Sequence, residues 1–349
     1  MSLCFRSEAA PAPRALPPVT ENKIRALLKA PDVQIGHVGV LISALGTAKS
    51  PQDFPSVPYD NKTQPVLFAQ DADKRFLPAS NMKLFTSAMA LKVLGPDKTF
   101  ATRVFAMSLP NGVEQLLLHG GGDMSLGAQN LEDLAQQVKK KGLKSFNRVD
   151  ADSSLYRAEG FAHRFPDGWT LDDTTWYYGP IVSALAYERN HIDVTITGGQ
   201  KPGDAATLSI PESAPQFVAG SNLTTGKAEL AKRDGDDLLT VYNSAAPYYD
   251  TSRLVLISGA LAPQQKVTFG IAVPSVDEWA TSAFTAALKR NNLLQVKKAQ
   301  QLSARPKPLQ LGPPREIARH ESPPVKELLK RLLKNSDNLY AEMMLRNAA

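Results

Sequence analysis

Between Asn190 and Ile257 the helical periodicity that marks both ends of this chain disappears. Short β-type runs replace it, "HIDVTITGG", "AATLSIP", "DLLTVYN" and "RLVLISGAL", divided by Gly, Pro and Asp. That is the punctuation of a small β subdomain. The texture changes earlier still, after Thr99. "FATRVFAMSL" and "GVEQLLLHG" read as a hairpin, "NLEDLAQQVKKKG" as an amphipathic helix stopped by Gly142, and "FNRVDADSSLY" as a further strand. A strand and a helix return in "KVTFGIAVPSVDEWATSAFTAALKRNN", the helix starting near Ser275. Past a Pro/Arg loop at Ser303–Pro314 the chain is helical again. An α/β beginning is thus interrupted by roughly 170 residues of another kind, the pattern of a domain inserted in a domain.

Ahead of the interruption, residues 1–20 are Ala/Pro-rich and are expected to be disordered. "TENKIRALLKAP" reads as a short helix with Ile24, Leu27 and Leu28 on its apolar face. Val33–Leu45 and Gln64–Gln70 read as strands around a Pro/Asn/Asp loop. The next helix carries Met82, Phe85, Met89 and Val93, with Ala88 and Leu91, at helical spacing, and Gly95 is placed to end it. No internal repeat is present.

Several function classes fall away on composition. The 349 residues hold no run of 18 apolar residues, so no spanning helix is expected. The first residues carry no secretory signal pattern, which fits a cytosolic protein and equally one whose signal has been removed or lies upstream of the given start. A lone cysteine, Cys4, makes no intrachain disulfide, and no apolar segment precedes it to support lipid attachment. The net charge of +6 is dispersed over solvated helix faces such as "VKELLKRLLK", without the aromatic interleaving or zinc spacing of a nucleic-acid binder. Such a surface suits an anionic polymer. The histidines His37, His119, His163, His191 and His320 are far apart, so no metal site and no cofactor is expected. A Ser-His-Asp triad through His119 or His163 would lack a G-x-S-x-G elbow.

The chemistry-bearing pattern is "SNMK", Ser80 to Lys83, at a helix start. A serine hydroxyl is a poor nucleophile until a base takes its proton. A lysine three residues on shares its helix face and can serve, provided burial or a second cation keeps the amine neutral. The same four residues also suit a helix cap beside a surface charge. A second element is Ser336-Asp337-Asn338, 256 residues after Ser80. It offers a hydroxyl to relay a proton and an amide to hold a peptide carbonyl. Ser336 equally suits the N-cap of the helix that follows, and a second Ser-x-Asn occurs at Ser145-Phe146-Asn147.

With these motifs, "LHGGGDMSL" at 118–126 and "DGWTLDDTTWYYGPIVSALAYERN" at 167–190, the chain resembles the D-alanyl-D-alanine carboxypeptidase/endopeptidases of the class C low-molecular-mass penicillin-binding proteins. The likeness runs from about Lys23 to Ala349, with Met124 where proline is usual. It implies an α/β (α+β) fold, a β-lactamase-like transpeptidase domain with a five-stranded sheet and two inserted domains, the inner one mostly β. The expected division is 21–102 and 270–349 for the transpeptidase-like domain, 103–187 and 255–269 for the first insertion, and 188–254 for the β insertion. By the same resemblance Ser80 is the nucleophile and Lys83 its base, while Ser336 and Asn338 form the second element. Asp173 and Tyr178 would line the substrate's side-chain pocket, the acid facing the free amine of a diaminopimelate cross-link. Peptidoglycan stem peptides are the implied substrates and β-lactams the implied covalent inhibitors. The setting would be extracytoplasmic, with peripheral association with wall or membrane.

The third element of that family, a Lys-Thr-Gly or its variants, is absent from the 349 residues, and the chain stops 11 residues after Asn338. The expectation from this is a transpeptidase-like domain incomplete at its C-terminus. The competing expectation is a truncated, non-catalytic peptidoglycan-binding paralogue. A β-lactamase-like hydrolase would need a residue for fast deacylation, and none is evident.

Overall fold

The computed structural model describes residues 16–34, 36–43, 66–109, 114–159, 165–166, 168–170, 172–243, 254–296 and 312–349. Cys4, His163, most of the Pro/Arg loop and the loop before Gln64 lie outside them. The chain divides into two compact units, Met1–Ala79 and Ser80–Ala349.

In the first unit, α1 (Pro18–Leu28) is followed by α2 (Pro31–Gln34), and β1 (Val40–Ser43) pairs antiparallel with β2 (Val66–Gln70). Arg25 is bonded to Glu21 one turn earlier and lies 5.0 Å over the ring of buried Phe68. Two expectations shift. Pro18–Thr20 belong to α1 rather than to a disordered tail, because proline's fixed φ suits a first helical turn. The strand expected from Val33 begins only at Val40, since Pro31 starts a helical turn ahead of it.

The second unit opens with α3 (Met82–Val93), closed as expected by Gly95 at φ +82°. Its buried face is not the expected apolar stripe. Lys83, Ser87 and Ala90 are buried, while Met82, Phe85, Leu91 and Val93 are exposed. Positions four and three apart share one helix side, and here that side is lined by small residues and one lysine. Ser87 satisfies its hydroxyl on the Lys83 carbonyl at 2.7 Å, so the face closes without an unpaired donor.

The interrupting segment supplies β3 (Ala101–Ser108), β4 (Glu114–His119), α4 (Ala128–Lys140), β5 (Ser145–Asp152) and β6 (His191–Thr197). It continues through β7 (Thr207–Ser209), β8 (Val218–Thr225), β9 (Leu239–Asn243), β10 (Val255–Leu261) and β11 (Lys266–Ala272). Then come α5 (Val276–Arg290), β12 (Leu294–Gln295), β13 (Arg315–Glu321), α6 (Val325–Asn335) and α7 (Asn338–Ala348). A five-stranded sheet has the order β12-β5-β4-β3-β13, and two three-stranded sheets have the orders β8-β10-β9 and β11-β6-β7. Helix α4 is the crossover between parallel β4 and β5, and packs with α5 and the large sheet around one apolar core.

Strand pairing links segments across the expected division of the chain. The five-stranded sheet is built from strands between Ala101 and Glu321. Residue 270 falls inside β11, and α5, β12 and β13, expected with the transpeptidase-like segment, pack on or join that sheet. Strand β10, expected outside the β insertion, pairs with β8 and β9 within it.

The interruption is closed at its neck. Its first long strand, β3, pairs antiparallel with its last, β13. Beyond that pair Phe100 and Ser322 exchange two hydrogen bonds at 2.9 and 3.0 Å, and Val325 N–H and Lys326 N–H donate to Lys98 and Pro96. The neck delivers α6 and α7 directly against α3. A second core forms there from Ala90, Leu328, Leu332, Leu339, Tyr340 and Met343 among others.

The two glycine- and serine-bearing segments "GGGD" and "SAL" are packed on each other. Gly122 N–H donates to the Ala184 carbonyl at 3.0 Å, and Ser183 and Ser153 both donate to Asp277 at the start of α5. A Cβ on Gly121 would come within 2.1 Å of the Ala101 carbonyl oxygen, a backbone atom that cannot step aside. Gly121→Ala is therefore expected to lower unfolding stability by about 2 kcal/mol in urea titration. Gly36→Ala, which meets nothing within 4 Å, is expected to leave it unchanged.

Candidate active site

Helix α3 is entered through a single 3-10 turn at Ala79–Asn81, so Ser80 stands just ahead of the first α-helical turn. Among the described residues its hydroxyl caps no helix N–H, and Lys83 is no surface charge, with 8% of its area exposed. The cap-and-surface-charge alternative therefore fails. Lys83 Nζ lies 3.2 Å from Ser80 Oγ and donates to Asn338 Oδ1 at 2.5 Å. Asn338 Nδ2 in turn donates to the Tyr178 carbonyl at 2.8 Å. The amide thus bridges the lysine and the 176–179 turn, and its orientation is fixed at both ends.

The break between α6 and α7 aims this amide. Ser336 ends α6 in the left-handed conformation, φ 52° and ψ 41°, and is exposed. The N-cap of α7 is Asp337, not Ser336: its Oδ1 accepts from Tyr340 N–H at 3.1 Å. Among the described residues the Ser336 hydroxyl makes no hydrogen bond to Ser80, Lys83 or Asn338. One oxygen of Asp173 is engaged locally. Its Oδ2 accepts from Thr170 N–H and Oγ1 at 2.7 and 2.9 Å. That turn abuts Gly179, whose Cβ, were there one, would meet the Asp173 carbonyl at 2.1 Å. So Asp173 stands beside the Tyr178 turn, while the half-exposed Tyr178 reaches the centre through its backbone.

Burial lowers the Lys83 pKa from that of an ordinary lysine, against the fields of Asp337 and Glu342, which raise it. One carboxylate of that pair is itself answered. Arg189 Nε donates to Asp337 Oδ2 at 2.8 Å, with the Asp337 side chain 3% exposed. Arg189 was not singled out in the sequence. It belongs to a turn of three successive left-handed residues, Glu188, Arg189 and Asn190, with φ of 47°, 55° and 57°. Non-glycine residues adopt this backbone at a cost of about 1–2 kcal/mol each. Nothing in the residue types announces it beyond the tolerance of Asn190. The fully buried Asn190 holds the turn, donating to the Ile181 carbonyl at 2.7 Å and accepting from Tyr187 N–H at 3.0 Å.

Beside the turn opens a cavity of about 690 Å³, lined by Trp176, Tyr177, Tyr178, Arg189, His191 and Asp193 among others. Burial and the Arg189 charge hold the His191 imidazole below its usual range. His119 is held on the large sheet by Asp152 at 3.0 Å, and no group of metal-ligating side chains is found among the described residues.

The sequence pattern of the D-Ala-D-Ala carboxypeptidase 3 (S13) family matches residues 56–349. A D-alanyl-D-alanine carboxypeptidase of Actinomadura sp. is 30% identical over 302 residues, covering 82% of this chain and 52% of that protein. The D-alanyl-D-alanine carboxypeptidase DacB of Haemophilus influenzae is 26% identical over 283 residues, 78% of this chain and 54% of that one. Among solved structures, penicillin binding protein 4 (dacB) of Haemophilus influenzae superposes with a TM-score of 0.63 at 22% identity, over 81% of this chain and 59% of that chain. The penicillin-binding-protein fold is therefore shared. The chain spans about half the length of the curated relatives it matches.

An acid placed at the amide would hold the lysine charged. Asn338→Asp is expected to raise the Lys83 titration midpoint by about one pH unit or more, read from the ¹³Cε resonance of labelled lysine.

Proposed function

The chain belongs to the D-Ala-D-Ala carboxypeptidase 3 (S13) family, and on that footing we propose that it is a serine-type D-Ala-D-Ala carboxypeptidase and endopeptidase acting through an acyl-Ser80 intermediate. The observation that carries this reading is the placement of one buried amine between a serine hydroxyl and a motif amide, Ser80 Oγ–Lys83 Nζ–Asn338 Oδ1.

Neutral Lys83 takes the Ser80 proton as Oγ attacks the carbonyl carbon of the penultimate D-alanine. The proton then passes to the leaving amine, with Ser336 as relay once its exposed hydroxyl turns toward the bound substrate, and the terminal D-alanine departs. Water hydrolyses the ester with Lys83 again as base. Asn338 holds Lys83 in line and presents its amide where the substrate's peptide carbonyl lies. A β-lactam undergoes the same attack, but its leaving nitrogen stays tethered, so the acyl-enzyme persists. Asp173 and Tyr178 line the place of the stem peptide's third side chain, where a carboxylate suits a free amine. Stem peptides of peptidoglycan lie outside the cytoplasm, which sets the place of action. No helix among the described residues is long and apolar enough to cross a membrane.

Incubation with a fluorescent penicillin is expected to give a covalent band on a denaturing gel. Ser80→Ala should lose the band, and Lys83→Met should slow acylation by about a hundredfold or more. The rate should fall as pH drops through the Lys83 pKa, which burial holds below that of an ordinary lysine. No band from folded protein would overturn the catalytic reading in favour of a wall-binding role. Asp173→Asn is expected to raise KM for a stem peptide with a free third-residue amine and to leave KM for its acetylated form unchanged.

A further inference from the structure

We propose that Arg189 is a positioning residue of the Ser80–Lys83 centre: its guanidinium, presented on a left-handed turn, neutralises the buried Asp337 carboxylate beside Lys83 and anchors the start of α7 that presents Asn338. The inference rests on the acyl-serine reading for its catalytic meaning, but its geometry stands apart from it.

Two observations converge on Arg189. The first is the ion pair at 2.8 Å with a carboxylate that is 3% exposed. A buried acid one residue from a catalytic amide would otherwise be unanswered, and buried charges need a partner. The second is the backbone. Three successive non-glycine residues in the left-handed region persist only where their surroundings hold them, and such strain gathers at functional sites. The holding contacts come from several directions. Asn190 bonds Ile181 and Tyr187, and its carbonyl accepts from Val273 N–H at 2.9 Å. Glu188 N–H donates to the Leu126 carbonyl, and the Glu188 carboxylate accepts from Ala128 N–H at the start of α4. What this rigid turn delivers toward α7 is the guanidinium.

The charges around Lys83 make the consequence definite. From α7 come Asp337 and Glu342, both of which favour its protonated form. From α6 comes Arg331, seated 5.3 Å over the Tyr340 ring, with Lys330 and Lys334 on exposed positions. From the turn and β6 come Arg189, His191 and Asp193, all on the wall of the neighbouring cavity. Helix α3 itself adds only the exposed Lys92. Of these groups Arg189 is the cation bonded to Asp337, so it is the one that offsets the acid nearest the amide. Without it, Asp337 acts on Lys83 undiminished and the amine keeps its proton to higher pH.

The test reads Lys83 directly, by titrating its ¹³Cε resonance in labelled full-length protein. Arg189→Gln is expected to move the midpoint up by about one pH unit. Arg189→Gln combined with Asp337→Asn should bring it back to or below the wild-type value, since asparagine still caps α7 without a charge. Arg189→Lys should stay near wild type. An unchanged midpoint in folded Arg189→Gln, or a double variant that stays raised, overturns the proposal. Should Arg189→Gln not fold, Arg189→Met decides: a raised midpoint supports the pairing, and an unmoved one refutes it. Penicillin acylation of wild type is run beside it. Its failure would remove the acyl-serine reading while the titration still decides the role of Arg189.

Discussion

The proposed chemistry depends on the desolvation of a single lysine amine, that of Lys83. Lys83 is buried where α7 lies against α3, and on the proposed acyl-serine reading only an amine held out of water can serve Ser80. The small face of α3 allows that approach. Ala90 is fully buried, and Ser87 turns its hydroxyl back on its own helix. A larger side chain at either position would hold α7 away and leave the amine hydrated. The large apolar residues of α3 are exposed, so the face this helix buries is the one that carries Lys83 rather than a conventional apolar stripe.

Asp337 shows how tightly packing and electrostatics are joined at this centre. One of its oxygens caps α7 and the other takes Arg189. The cap orients the helix that carries Asn338, while the charge that makes a good cap works against a neutral Lys83. Asparagine would cap nearly as well without the charge. Aspartate at this position therefore suits a site that has a cation ready to meet it.

Much of the architecture was legible because local signals agreed. The β3–β4 hairpin, α4 with Gly142 beyond its end at φ +86°, and α5 starting after Ser275 all stand where pattern placed them. Ser80, Lys83 and Asn338 were readable as a set, and they are joined. Other features left weaker traces. "REIARHE" became strand β13 although only Ile317 and Ala318 are buried, because its charged residues face solvent at the edge of the sheet. "VAGSNLTT" became β8 despite its Gly, Ser and Asn, since pairing with β10 outweighs its poor propensity. The exposed side of α3 could not be foreseen, because helical spacing reports which residues share a face and not which face is covered. The left-handed turn at Arg189 is tertiary in origin and leaves no local signature.

The closed neck has a consequence for how such a chain finds its shape. Lys83 and Asn338 are 255 residues apart, and loop-closure entropy rises with the logarithm of the loop. Once β3 has paired with β13 and Phe100 with Ser322, the span still to be closed between α3 and α6 shrinks to the few residues on either side of the neck. Formation of the large sheet thus turns a very distant encounter into a local one. The pairing of β3 with β13 is thus the scaffold on which Lys83 and Asn338, far apart in the chain, are held within reach of each other.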